Sequence, residues 1–322
     1  MPTFRVRRVI AWVIAAALTA AAAFLTLTWA GDKTVEQLAP RWAQPPSTFL
    51  AIGALRVHLR DEGPRDDSVP VVLIHGTSSS LHTWEGWAAA LRTTHRVIRM
   101  DLPGFGLTGP DQHDDYSIAN YVRFVRAVLD SLHVTRAVLA GNSLGGAIAW
   151  SVALDDPARV ARLVLVDAAG YPMHPTSVPI GLRIARSSVL GWLARYSLPR
   201  SVVESSVRNV FGDPSKVTPE LVDRYYDLAL RAGNRKALVA RLKQLLDEPQ
   251  VVRLRELHVP TLIMWGGNDR LFPLDNAERF HQDIAGSRLV VFAALGHVPQ
   301  EEDPKATVRP LQSFLSDAPS PR

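Results

Sequence analysis

One switch of periodicity constrains this chain more than any other feature. Across Gly141-Asn142-Ser143-Leu144-Gly145 a short apolar run, Ala137 to Ala140, passes into a helical stretch, Leu144 to Trp150, with no loop between them. A strand that turns straight into a helix brings its backbone so close together that glycine is needed on both sides of the bend. Gly141 and Gly145 occupy those places and Ser143 stands between them. Its hydroxyl is then held off the sheet at a helix N-terminus, where unpaired N–H groups and the positive dipole end favour developing negative charge. Ser143 is the candidate nucleophile. Short G-x-S-x-G runs also occur in ordinary turns, so the strand before and the helix after carry the inference.

The rest of the chain supplies a sheet for that bend. Buried apolar runs recur at Val69 to Ile74, Arg96 to Met100, Leu163 to Val166, Val259 to Trp265 and Arg288 to Phe292, with helical stretches between them. Continuous rather than alternating apolar strands indicate a sheet covered on both faces, and strand–helix repetition indicates parallel pairing. Thr48 to Ile52 and Leu55 to Arg60 instead alternate about Gly53, which predicts an antiparallel hairpin at the sheet edge. Ser117 caps a helix whose apolar face runs through Ile118, Tyr121, Val122, Val125, Leu129 and Leu132.

Between Asp167 and Val259 the strand signal disappears, and helical stretches are broken at Pro199, Gly212-Asp213-Pro214 and Gly233-Asn234. This reads as a helical lid inserted after the sixth strand. Its apolar cluster, Val189, Leu190, Trp192, Leu193 and Tyr196, is expected either to pack on the core or to line a pocket. The organisation predicted is an anchor or signal segment at 1–30, a linker at 31–47, a core at 48–170 and 257–316, a helical cap at 171–256 and a tail at 317–322. The linker is read as irregular because of Pro40, Pro45 and Pro46.

Arg5, Arg7 and Arg8 precede an uncharged run from Val9 to Ala30. About 20 apolar residues span a bilayer as a helix, and arginines stay on the cytoplasmic side. A membrane-anchored catalytic body on the extracytoplasmic side is therefore expected, with secretion after cleavage near Gly31 as the alternative. Thirty-six basic and 31 acidic side chains leave a formal charge of +5, but both signs are interleaved and no basic stripe marks a nucleic-acid surface. Without cysteine, disulfides, thiolate metal sites and a cysteine nucleophile are excluded.

A serine hydroxyl needs a base to take its proton and a third group to orient that base. His297 follows the last strand in Gly296-His297-Val298, where a loop can reach Ser143. Asp269, in Trp265-Gly266-Gly267-Asn268-Asp269, follows another buried strand and can accept the imidazole N–H. Asp167 is the rival acid, with turn capping as its ordinary role; Asp101, before a glycine-rich turn, reads as structural, and the remaining acids as solvated. Donors for an oxyanion are expected from the amides of Leu144 and Thr77.

Together, His75-Gly76, Asp101-Leu102-Pro103-Gly104-Phe105-Gly106, Gly141 to Gly145, Trp265 to Asp269 and Gly296-His297 resemble the α/β-hydrolase superfamily over residues 48 to 316, in the order Ser, Asp, His. The resemblance implies an α/β-hydrolase fold with a helical cap, a nucleophile elbow at Ser143, and no metal or organic cofactor. Haloalkane dehalogenases and epoxide hydrolases carry aspartate where Ser143 stands, and epoxide hydrolases usually carry proline at the place of Ser78. Gly-Asn-Ser-x-Gly-Gly is similar to the elbow of the meta-cleavage-product hydrolases, which cleave carbon–carbon bonds. Those enzymes usually carry tryptophan where this chain has Val298. The expected activity is thus a carboxylesterase or lipase-like hydrolysis of small, moderately apolar esters. Carbon–carbon hydrolysis is the alternative, and a non-catalytic binding protein on the same fold the third reading.

Overall fold

The structure, a computed structural model, describes residues 2–172, 174–244 and 251–317. Residues 318–322 of the expected tail, and 173 and 245–250 of the expected cap, lie outside the described residues.

Eight strands form one sheet: β1 (Thr48–Ile52), β2 (Leu55–Glu62), β3 (Val71–Ile74), β4 (Val97–Met100), β5 (Ala137–Asn142), β6 (Val160–Val166), β7 (Thr261–Gly266) and β8 (Arg288–Phe292), ordered β1-β2-β4-β3-β5-β6-β7-β8. The hairpin pairs Thr48 with Leu59 and Ile52 with Leu55, and β2 runs antiparallel to β4. From β4 to β8 every pairing is parallel.

Side chains alternate across a strand, and β3 shows what this does. Val71 and Leu73 point into one core with Trp84, Trp87, Leu311 and Phe314, whereas Val72 and Ile74 point into the other with Tyr121, Val125, Ile148 and Phe280. Helices α3 (Glu85–Leu91) and α13 (Pro304–Ser316), the latter entered through the short α12 (Pro299–Glu302), therefore cover the first face, and α4 (Ile118–Ser131), α5 (Leu144–Asp155) and α11 (Asp275–Asp283) the second. As expected, Ser117 caps α4, its Oγ accepting from Asn120 N–H at 3.3 Å.

Between β6 and β7 the described residues form helices α6 (Ile180–Arg186), α7 (Ser188–Leu193), α8 (Arg200–Val210), α9 (Pro219–Ala229) and α10 (Asn234–Gln244), and no strand. The apolar cluster of this lid departs from both expected roles. Val189, Leu190, Trp192 and Tyr196 are exposed, Val189 by 69%. The six-residue α7 turns their side of it outward, and Tyr196 stacks on Trp29 at 5.8 Å.

The linker is also more ordered than its prolines suggest. Helix α2 (Val35–Trp42) begins in a capping box, in which Gln37 N–H donates to Thr34 Oγ1 and Thr34 N–H to Gln37 Oε1. Leu38 is buried, and Trp42 Nε1 donates to Asp227 of α9 at 3.0 Å. Pro40 falls inside this helix and hides its periodicity.

Helix α1 covers Pro2–Thr28. Among the described residues no helix is long and apolar enough to cross a membrane, so the expected anchor at 1–30 gains no support from the fold. Side chains at 17, 18, 20, 21, 24, 25 and 27, which supply much of the run's apolar character, lie outside the described residues.

Candidate active site

Ser143 takes φ 55° and ψ −117°, a left-handed conformation that costs a non-glycine residue energy and is held only by a surrounding that dictates it. Here the surroundings are backbone. A Cβ on Gly141 would lie 2.1 Å from Gly145 O, one on Gly145 2.1 Å from Ile74 O, and one on Gly146 2.5 Å from Ala168 Cβ. These glycines allow α5 to fold back across β3 and β6 directly after the strand. Ser143 N–H donates to Val166 O at 3.1 Å, and its side chain lines the main cavity.

The loops after β7 and β8 bring in the acid and the histidine. Asp269 Oδ1 accepts from the N–H groups of Leu271 (2.7 Å) and Phe272 (3.0 Å), which fixes the carboxylate. Its Oδ2 accepts from His297 Nδ1 at 2.7 Å. An ionised carboxylate only accepts, so the Nδ1 proton is committed and Nε2 is left as a base. His297 is held in turn by its N–H to Val210 O (2.8 Å), by Asn142 Nδ2 to its carbonyl (2.9 Å), and by Phe272, whose ring lies 5.1 Å away. Asn142 precedes Ser143 and also donates to Val166 O (3.1 Å), so one amide ties the elbow to the histidine loop. Ser143, Asp269 and His297, remote in sequence, are each buried, and Ser143 and His297 share one cavity wall.

Thr77 and Leu144 line that same cavity. Leu144 is the first residue of α5, so its N–H is one of four without an acceptor in the helix. The loop bearing Thr77 is set by His75, fully buried, whose Nδ1–H donates to Gly76 O (2.7 Å) while Nε2 accepts from Leu102 N–H (3.0 Å). Burial lowers the His75 pKa and keeps the ring neutral, as this pairing requires.

Asp167 lies closer to the site than turn capping implies. Its Oδ1 accepts from Gly266 N–H at 2.9 Å, and donor atoms of Asp167, Asp269 and His297 lie within 4.8 Å of one another. Two carboxylates buried side by side do not both ionise; burial, then the charge of Asp269, pushes the Asp167 pKa well above the carboxylate range. These three residues are the one grouping among the described residues with metal-ligand spacing. Of the three, Asp269 and His297 are joined by a hydrogen bond, while Asp167 Oδ2 is buried beside them without a partner.

A proton held by Asp167 only in the folded state makes stability fall as pH rises above about 4, the unfolded carboxyl pKa. The side-chain amide of the Asp167→Asn variant would mimic the neutral acid. We expect that variant to keep kcat/KM within about tenfold and to gain stability relative to wild type as pH rises from 4 towards 7, measured by urea unfolding. A loss as deep as that of Asp269→Asn would assign the relay to Asp167 instead.

The other acids are not uniformly solvated. Glu302, 7% exposed, accepts from the N–H groups of Gly212 (2.8 Å), Asp213 (2.9 Å) and Gly296 (2.8 Å), joining lid to histidine loop. Glu301 accepts from Tyr225 (2.7 Å) and from Arg224 of α9. An acidic pair in the single turn of α12 carries no sequence signal for such burial. Asp101 is structural, as expected: fully buried, it accepts from Leu81 N–H (2.7 Å), Leu107 N–H (2.8 Å) and His58 Nδ1 (2.7 Å). His58 Nε2 meets Ser47 Oγ at 2.9 Å, a second serine–histidine–aspartate line, but Arg60 Nε also donates to that oxygen (2.8 Å) and none of the three lines the main cavity.

That cavity, of about 250 Å³, lies between the strand ends and the lid and is walled largely by apolar lid side chains such as Leu182, Val203, Val207, Leu238 and Leu242. The cavity thus brings together a hydroxyl on a strained bend, a histidine on the same wall and an amide at a helix start, the groups that acyl transfer requires.

Known proteins share this architecture. A 2-hydroxy-6-oxo-2,4-heptadienoate hydrolase of Pseudomonas putida is 31% identical over 279 residues, 83% of this chain and 95% of that protein. The solved structure of a variant meta-cleavage product hydrolase matches with a TM-score of 0.72 and 27% identity, covering 84% of this chain and 98% of the other. A membrane phospholipase A, described as a bacterial virulence factor, matches with a TM-score of 0.73 and 25% identity over 98% of both chains. A model of the alpha/beta hydrolase fold matches residues 69–304, from the first buried strand to the start of α13. With that span and the elbow, the chain belongs to the alpha/beta hydrolase fold family.

Proposed function

We propose that this protein is a serine hydrolase that passes an acyl group from a largely apolar substrate to Ser143 and then to water. His297, bonded to Asp269 and on the cavity wall it shares with Ser143, carries the reading. Ser143 Oγ attacks a carbonyl carbon while His297 Nε2 takes its proton, and the N–H groups of Leu144 and Thr77 hold the oxyanion. On collapse the bond to the leaving group breaks, and His297 returns the proton to it. Water, deprotonated by His297, then attacks the acyl carbon and releases a carboxylic acid and free Ser143.

The relatives favour a carbon–carbon bond as the one broken, ahead of the ester expected from sequence. A carbon leaving group needs an electron sink, so the substrate would be a conjugated diketone in which the departing electrons form an enolate. One observation keeps ester hydrolysis as a second reading: the match to the membrane phospholipase A extends over 98% of this chain, α1 included, where the match to the meta-cleavage product hydrolase covers 84%. Phospholipase action is hydrolysis of an acyl ester.

Turnover of a 2-hydroxy-6-oxo-dienoate, followed by loss of its chromophore, against release of fatty acid from phosphatidylcholine separates the two. The first reading predicts kcat/KM at least about 100-fold higher on the dienoate. Faster fatty-acid release would replace it with the second, and turnover of neither would remove both.

Placement beyond a membrane belongs to this proposal and rests on Arg5, Arg7 and Arg8 ahead of the uncharged run. Protease protection in intact cells, lost in spheroplasts, is the expected outcome.

A further inference from the structure

Helix α10 turns two arginines towards the cavity. Arg235, Leu238, Arg241 and Leu242 all line it, at spacings that place them along one side of the helix. Arg186 from α6 joins them, and among the described residues no aspartate or glutamate lines the cavity. A largely apolar enclosure thus carries three guanidinium groups and, among the described residues, no carboxylate. Low-dielectric walls of one sign select ligands of the other.

Arg235 is the most incompletely satisfied of these. It is 8% exposed; Nη2 donates to Asp32 Oδ1 at 2.7 Å, while Nε and Nη1 are buried with no hydrogen-bond partner. Leaving buried donors unpaired is costly, and a guanidinium matches the geometry of carboxylate and phosphate oxygens. The Asp32 side chain is 49% exposed, so the existing partner holds the group from the solvent side. Asn234, the preceding residue, fixes the start of α10 by donating to Gly106 O (2.9 Å) and Leu228 O (2.8 Å), which keeps Arg235 from swinging away. Arg241, 1% exposed, stands six residues on, about 9 Å along the axis at 1.5 Å per residue.

We propose that Arg235 anchors an anionic group, a carboxylate or a phosphate, on a ligand whose apolar part fills the rest of the cavity. The proposal rests on this cavity being the substrate site and adds the substrate class: amphiphiles with one anionic end. A dienoate acid and a phospholipid both offer such a group, and the test distinguishes them.

Calorimetric titration of Ser143→Ala, which binds without turnover, with octanoate, octyl phosphate and octanol provides that test. The two anions are expected to bind about 10- to 100-fold more tightly than octanol, the range of one charge-assisted hydrogen-bonded contact. Adding Arg235→Gln should reduce both anions to the octanol level and leave octanol within about threefold. A tighter octanoate points to a carboxylate substrate, a tighter octyl phosphate to a phosphate ester. Equal binding of octanol and the anions, or an anion preference that survives Arg235→Gln, overturns the proposal. Should Arg235→Gln lose octanol binding as well, Asp32→Asn decides: removing the competing carboxylate should tighten octanoate several-fold, and an unchanged affinity refutes the site. Failure of turnover in the wild type would count against the acyl-transfer reading and leave this result standing.

Discussion

Replacing Ser143 with alanine is expected to lower kcat by on the order of 10⁶ on whichever acyl substrate proves correct, the loss seen when a relay nucleophile is removed. The fold should survive, because the main-chain hydrogen bond from Ser143 to Val166 and the glycines about it do not depend on the hydroxyl. Asp269→Asn should cost about 10⁴, since an amide there presents a donor to Nδ1 and turns the imidazole to the wrong tautomer. The double variant should be no slower than Ser143→Ala alone, because the two act as one unit. Additive losses would mean that Asp269 works outside the relay.

Asp101→Asn is expected to be the most damaging change to stability, about 3–5 kcal/mol, the cost of breaking a buried charged cluster. Burial alone would raise the Asp101 pKa, but its interaction and hydrogen bond with His58 overcome this and hold the carboxyl well below its usual range. The folded state therefore releases this proton more readily than the unfolded chain. The stabilisation is complete above about pH 4 and is lost as pH falls towards the folded pKa. Wild type should lose stability steeply below pH 4, and Asp101→Asn should show a shallower decline in urea unfolding at pH 2–7. Parallel curves would contradict the charged state assigned to Asp101.

Sequence pattern reached the sheet and the elbow because both rest on local rules. A strand that runs directly into a helix requires Gly141 and Gly145, and strands covered on both faces must be continuously apolar. Asp269 and His297 were accessible from their places after β7 and β8, the ends at which such sheets gather reactive groups. The lid was harder, since α6 and α7 are too short to show a period, and Trp192 and Tyr196, which read as core or pocket, face outward. Glu302 and Arg235 acquire their surroundings from residues remote in sequence, so no local pattern marks them. Helix α2 did have a signal, the Thr34-x-x-Gln37 box, which its prolines outweighed.

Ser143 as nucleophile is tested most directly by labelling the folded protein with a fluorophosphonate and mapping the adduct by mass spectrometry. The expected result is one adduct, on the peptide containing Ser143, lost in Ser143→Ala and strongly slowed in His297→Ala. Absence of labelling in folded protein, or an adduct on another serine such as Ser47, would contradict it.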